Sequence, residues 1–275
     1  MADIHLFHHR AMATFFEVRI SYEERSYAAQ AAQAALDLAD KLESQLSRFR
    51  STSEIAQITR LEPGQRMRLS EPTFACLEVA KRIELATLGA FSITANALQT
   101  QSCLPQWILS PSDSSILCES GQLQFDLGAI GKGFALDRMA ELLRNWDCSA
   151  YLLVAGGSSI LAGDPPDDAG WSCGLGDNDA PQRLILTHTS LSGSGLAVKG
   201  EHILDPRTGL PALRKNRAWA LADTAAESDA LSTACMVLSE PELKEVLAQD
   251  PSWLFLLDID GKAEPMGSRA LPSQE

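Results

Sequence analysis

Three stretches of this chain combine small residues with groups that bind ions or move protons. In Ser228-Asp229-Ala230-Leu231-Ser232-Thr233, Asp229 and Thr233 share a face if the segment is helical. A carboxylate and a hydroxyl so placed offer oxygen to Mg²⁺, which takes few protein ligands and completes its shell with water and substrate phosphate. The plainer alternative makes Ser228 or Asp229 a helix cap and Thr233 filler. In Asp126-Leu127-Gly128-Ala129-Ile130-Gly131-Lys132-Gly133, a Gly-rich turn feeds a helix whose free N–H groups would suit an anion. The spacing is neither of the two common nucleotide loops, and such a turn is as readily a structural corner. Lys132 tilts the balance, because a cation in a first helical turn is unfavourable unless an anion is present. In GEHILDPRTGLPA, His202 precedes a rigid turn made by Asp205, Pro206, Gly209 and Pro211. Histidine near neutrality can accept or donate a proton, although a lone His in a strand is more often simply packed.

Taken together, oxygen ligands for a divalent cation, a lysine for an anion and a histidine base form a coherent set. The elements that must position them are legible in outline. Residues 26–49 are Ala-rich, with Ala28, Ala32, Ala35, Leu38, Leu42, Leu46 and Phe49 on one helical face. A second helix is expected over about 71–88, with Ser70 as cap, Pro72 in its first turn and Gly89 past its end. QLQFDLGAIGKGFALDRMAELLRNW runs from strand through Gly-rich turn to an amphipathic helix bearing Phe134, Met139, Leu142, Leu143 and Trp146. AYLLVAGGSSILAGD reads as two strands about a Gly-Gly turn, and RLILTHTSLSGSG as one further strand. ESDALSTACMVL is a short helix, PELKEVLAQ starts another, and SWLFLLDID is a buried strand turning at Gly261. The last dozen residues lack periodicity and are expected to be disordered. Strands and helices mix without regular alternation, so the fold class is α+β with mostly antiparallel sheet, in a single domain over 1–275.

The bulk properties narrow the partners. The 275 residues are 45% hydrophobic and 21% charged, an ordinary globular composition. A formal net charge of −13 and a pI near 4.8 argue against nucleic acid or an anionic membrane as main partner. A phosphate-bearing ligand would therefore be held locally or through a bridging cation. Cys76, Cys103, Cys118, Cys148, Cys173 and Cys235 show no CxxC spacing and read as reduced thiols. His5, His8 and His9 are close enough to suggest a metal, but lack a neighbouring carboxylate or cysteine at ligand spacing and read as the lead-in to a strand. No signal peptide or membrane-spanning run is visible, so a cytoplasmic location and no membrane insertion are expected.

FDLGAIGKGFALDR, EHILDPRTGLPA and ESDALSTACMVLS, in that order, resemble the three signature blocks of the ApbE-type FAD:protein FMN transferases. QLSRFRSTSEIAQI and AMATFFEV agree further, and LGAFSIT and VAGGSSILAGD more loosely. The resemblance implies an α+β fold of two mostly antiparallel sheets with flanking helices and FAD in a cleft between them. It implies Mg²⁺-dependent transfer of FMN from FAD to a Ser or Thr hydroxyl of an acceptor protein, with release of AMP. It places the metal on Asp229, Thr233 and the Ala129 carbonyl, and Asp126 and Lys132 near FAD. Met12, Phe49, Ala90, Phe91, Ser92 and Ile203 would line the flavin or adenine site, and His202 would deprotonate the acceptor. Alternatives are an FAD pyrophosphatase with the same metal site and a catalytically silent FAD-binding protein. Four positions depart from the family pattern: Ser92 for Asp, Ala155 for Asn, Gly131 for Ala, and Ser194 where an acidic residue follows Ser-Gly.

Overall fold

The computed structural model describes residues 3–167, 169–175, 182–195, 203–213 and 215–273. A hairpin of β1 (Asp3–Ala11) and β2 (Thr14–Tyr22) leads into α1 (Arg25–Leu46). The short α2 (Glu54–Ile58) and β3 (Arg66–Arg68) precede α3 (Glu71–Ala86). A 3₁₀ turn (Ala95–Gln99) then leads to β4 (Gln106–Ser110), β5 (Ser115–Ser120) and α4 (Gly131–Asn145). Five strands follow: β6 (Tyr151–Ala155), β7 (Ser159–Ala162), β8 (Trp171–Leu175), β9 (Gln182–Leu186) and β10 (Thr189–Gly195). After β11 (Arg217–Ala222) come α5 (Ala225–Val237), α6 (Glu240–Leu247), β12 (Leu254–Ile259) and β13 (Lys262–Met266).

The class is α+β, and every strand pairing among the described residues is antiparallel. The strands form one large sheet in the order β1-β2-β6-β7-β10-β11-β12-β13, a three-stranded sheet β3-β5-β4, and the pair β8-β9. α5 packs on β10 and β11, α4 lies across α5 and β7, and α1 rests on α4 and the first hairpin. Alanine makes this close layering possible: Ala28, Ala31, Ala32, Ala35 and Ala39 of α1 are all buried, and a helix face without long side chains can approach its neighbours.

Several local expectations change on folding. Phe49 falls beyond the end of α1, because Ser47 turns extended at ψ 120°. It is 81% exposed rather than on the buried face of that helix. Ser70 stands at the N-cap of α3, but its hydroxyl donates to Glu54 Oε2 at 2.7 Å instead of capping. Residues 182–195 hold two strands, not one, broken at His188 with φ 48°. Within the C-terminal stretch, β13 pairs with β12, and Ser273 O accepts from Ile185 N at 2.8 Å. His5, His8 and His9 lie in β1 and turn to three different partners, Tyr22 O, Glu17 and Asp40.

Candidate active site

Helices α4 and α5 meet at Gly133. A Cβ built there would stand 2.0 Å from Ala225 O, so only glycine permits this crossing. The contact brings the first turn of α4 against the first two turns of α5, where Asp229 is 3% exposed. Thr224, not Ser228 or Asp229, occupies the N-cap of α5, and its side chain accepts from Glu227 N. Asp229 is thereby free to serve another element. Its Oδ2 accepts from Gly133 N at 3.1 Å and its Oδ1 from Ser159 Oγ at 3.2 Å. Lys132 Nζ lies 3.2 Å from both carboxylate oxygens and 3.3 Å from Gly128 O. A buried carboxylate without such partners would be strongly disfavoured.

One turn further along α5, Thr233 Oγ1 lies 3.2 Å from Ser194 Oγ, which also lies 2.8 Å from Ser232 Oγ. Asp229 and Thr233 thus sit on the helix face that Ser159 and Ser194 of the large sheet meet. Ala129 lies in the turn 128–130 that enters α4, half-buried. This donor set suits a hard cation in kind: one carboxylate, hydroxyls and nearby carbonyls, all oxygen. Among the described residues no group of three or more His, Cys, Asp or Glu comes together for a metal. A cation held here would therefore rely on water and substrate oxygen for the rest of its shell, as Mg²⁺ commonly does.

Asp126 is the second junction. Its Oδ1 accepts from Gly128 N at 2.9 Å, fixing the turn before α4. Its Oδ2 accepts from Asn96 Nδ2 at 2.8 Å and lies 3.4 Å from Arg48 Nε. Its own N–H donates to Ile93 O at 2.7 Å. One carboxylate ties together the end of the α1 loop, the 90–96 segment and the glycine turn. Arg48 in turn lies over the ring of exposed Phe49, 4.4 Å from its centroid.

Met12 belongs to the same rim. It occupies the β1–β2 turn with Ala13, at φ 50° and 57°, a left-handed conformation unusual for residues with a Cβ. Met12 N–H donates to Glu43 Oε2 at 2.8 Å, and Glu43 also pairs with Arg50 at 3.2 Å. The strained turn and the Phe49 loop thus share one anchor. Arg48, Asn96 and Glu43 drew no attention in the sequence, because each is an ordinary surface residue until the fold brings it to its partner.

Ala90, Phe91 and Ile203 are core residues, exposed by 1%, 2% and 6%. Ser92 is the half-buried member of its segment, with its Oγ 2.9 Å from Thr94 Oγ1 and accepting from Thr94 N at 3.2 Å. Serine here makes the local turn that Asp would also make, so the departure leaves the loop's shape intact. Ala155 is buried in β6, opposite Phe16 and Ser159.

His202 lies outside the described residues. The loop beyond it is rigidly braced. Asp205 accepts Arg207 Nε and NH2, both at 2.9 Å, and Arg207 NH1 reaches Glu242 Oε1. Burial acts to raise the Asp205 carboxyl, but the bonds from Arg207 outweigh it and hold the group below its ordinary value. The Ser239 hydroxyl and N–H, with Arg207, lower Glu242 to about 2. A Cβ at Gly89 would meet Arg207 Cγ at 3.6 Å, and one at Gly209 would meet Leu98 at 3.6 Å. The loop therefore lies along the 89–98 segment. A hollow lined by Leu88, Gly89, Thr94 and Trp107 runs beside it.

A large antiparallel sheet carrying α4 and α5 is a fold already known among solved structures. The chain superposes on the flavin transferase ApbE from Vibrio cholerae with a TM-score of 0.83, covering 98% of each chain at 18% identity. The Pseudomonas stutzeri flavinyl transferase ApbE gives 0.82, covering 98% of this chain and 95% of that one at 20% identity. These likenesses are of fold. Residues 12–255 match the ApbE family, and the chain belongs to it. Its curated relatives include the FAD:protein FMN transferase of Klebsiella pneumoniae (strain 342), 23% identical across 92% of this chain and 84% of that protein. The Escherichia coli (strain K12) protein of the same description is 26% identical over 50% of this chain and 44% of its own length. The chain thus aligns with less than half of that second relative. No helix among the described residues is long and apolar enough to cross a membrane.

Proposed function

We propose that this protein transfers FMN from FAD to a Ser or Thr hydroxyl of an acceptor protein, in a Mg²⁺-dependent reaction that releases AMP. The observation that carries the reading is the buried Asp229 carboxylate, aimed by Gly133 N–H and Ser159 Oγ, at the first turn of α4. Membership of the ApbE family and relatives described as FAD:protein FMN transferases support it. In the reaction the acceptor oxygen bonds to the FMN-side phosphorus while the pyrophosphate P–O bond breaks, and AMP leaves with that oxygen. The acceptor's proton must be removed, and His202 is the base proposed for it. Asp229, Thr233 and the Ala129 carbonyl would hold the cation, which when bound neutralises negative charge on the pyrophosphate.

This chain's own residues supply the rest. The Lys132 ammonium, a strongly hydrated point charge, favours phosphate oxygen. Asp126 holds the glycine turn, the 90–96 segment and Arg48 in one geometry, and exposed Phe49 with Met12 gives an apolar rim for a flat ring. Ala90, Phe91 and Ile203, buried in the core, and half-buried Ser92 would back this surface. A formal net charge of −13 agrees with a ligand whose charge is met locally. The test is AMP release from FAD in the presence of an acceptor hydroxyl, with and without added Mg²⁺. The reading predicts metal-dependent release coupled to acceptor labelling; release unaffected by chelation would contradict it.

A further inference from the structure

The Lys132 ammonium rests where a cation would be expected. It contacts three oxygens, both of Asp229 at 3.2 Å and Gly128 O at 3.3 Å, the kind of ligand a hard cation takes. The two side chains are 21% and 5% exposed. Lys132 is in the first turn of α4, where the helix end repels positive charge, so Asp229 is what keeps it there. The other bonds of Asp229, from Gly133 N and Ser159 Oγ, do not involve the lysine and would keep the carboxylate aimed if the lysine left.

We propose that Lys132 is the resting counter-cation of Asp229, displaced by a divalent cation and then free to hold the phosphates of the bound dinucleotide. The proposal rests on the assignment of the metal to Asp229. Two cations cannot share one carboxylate at these distances without strong repulsion. The lysine's flexible four-carbon stem allows the ammonium to swing away, and a strongly hydrated point charge suits a phosphate partner. The exchange makes metal and pyrophosphate mutually supportive, and such coupling is necessarily reciprocal.

Lys132→Met separates this role from a merely structural one, because the two effects it predicts have opposite signs. Binding of Mn²⁺ alone, followed by the loss of the free-ion electron paramagnetic resonance signal, should tighten by about fivefold or more, within the usual range of coupling between sites. FAD affinity at saturating Mn²⁺, followed by flavin fluorescence, should fall by about tenfold, as expected for a lost charge-assisted contact. Unfolding temperature offers a second readout if the variant is unstable: Mn²⁺ should raise it more in Lys132→Met than in the wild type. Lys132→Arg keeps the charge and should not bind Mn²⁺ more tightly. Equal or weaker Mn²⁺ binding by Lys132→Met would overturn the proposal while leaving the metal site standing, provided Asp229→Asn loses the ion. Mn²⁺ binding unchanged in Asp229→Asn would overturn both.

Discussion

Asp137 and Asp229 cap each other's helices. Asp137, on α4, accepts the N–H groups of Ala225 at 2.7 Å and Ala226 at 2.8 Å at the start of α5. Asp229, on α5, accepts the N–H of Gly133 in the first turn of α4. The free donors of each helix end are thus met by a carboxylate from the other, a long-range form of N-capping. This exchange, locked by the glycine contact between the two helices, fixes the carboxylate proposed to bind metal.

Two glycines of the same turn should respond oppositely to alanine. A Cβ at Gly133 would collide with the Ala225 backbone, whereas one at Gly131 would meet Leu127 Cβ at an ordinary 3.6 Å. Gly133→Ala should lower unfolding free energy in urea by about 1–3 kcal/mol, the usual cost of overpacking. Gly131→Ala should be neutral or raise it by up to about 1 kcal/mol through reduced unfolded-state entropy. Equal losses at both positions would contradict the close crossing.

Asp137 should impose a pH dependence on stability. Burial pushes its carboxyl from 3.8 up to about 7, against the lowering effect of the two N–H groups. Between those values the folded protein binds a proton that the unfolded chain has released. Stability from this group is therefore complete below about pH 4 and is lost as pH rises through 7. Asp137→Asn should flatten the slope of unfolding temperature against pH across that interval. Parallel wild-type and variant curves would show that Asp137 titrates elsewhere.

Asp229→Asn should abolish metal-dependent AMP release while leaving the fold intact, since the amide oxygen can still accept from Gly133. Asp229→Ala should do the same with a further loss of about 1 kcal/mol, as for a deleted cap. Calorimetry of both variants beside an AMP assay checks the split. Full activity in either would remove Asp229 from the site.

Asp126→Ala should weaken FAD binding by about tenfold or more. It deletes the bonds to Gly128 N, Asn96 and Arg48 together, so the loops that would meet the ligand lose their common anchor. Fluorescence titration with FAD measures the loss. An unchanged affinity would place the ligand away from this junction.

The sequence made some of this arrangement visible and hid the rest for a physical reason. Asp229 and Thr233 are four residues apart on one helix, and Lys132 follows a glycine turn, so local spacing alone put each on its element. What spacing cannot convey is pairing across 97 residues, and the Lys132–Asp229 contact is of that kind. The capping of α5 by Asp137 was hidden likewise, because a capping residue is sought beside its own helix. Phe49 continued the apolar stripe of α1 in register, yet the extended Ser47 ended the helix first and left the ring in solvent. β13 escaped notice because Lys262–Met266 is short and mixes Lys, Glu and Pro with its apolar residues, as edge strands often do.

The most direct test is an acceptor domain bearing a Ser or Thr flavinylation site, co-expressed with the wild-type protein or with Asp229→Asn and resolved on a denaturing gel. A fluorescent flavin band with the wild type, absent with the variant, is the predicted result. No band from an active preparation that still releases AMP and FMN from FAD would contradict transfer and identify hydrolysis instead.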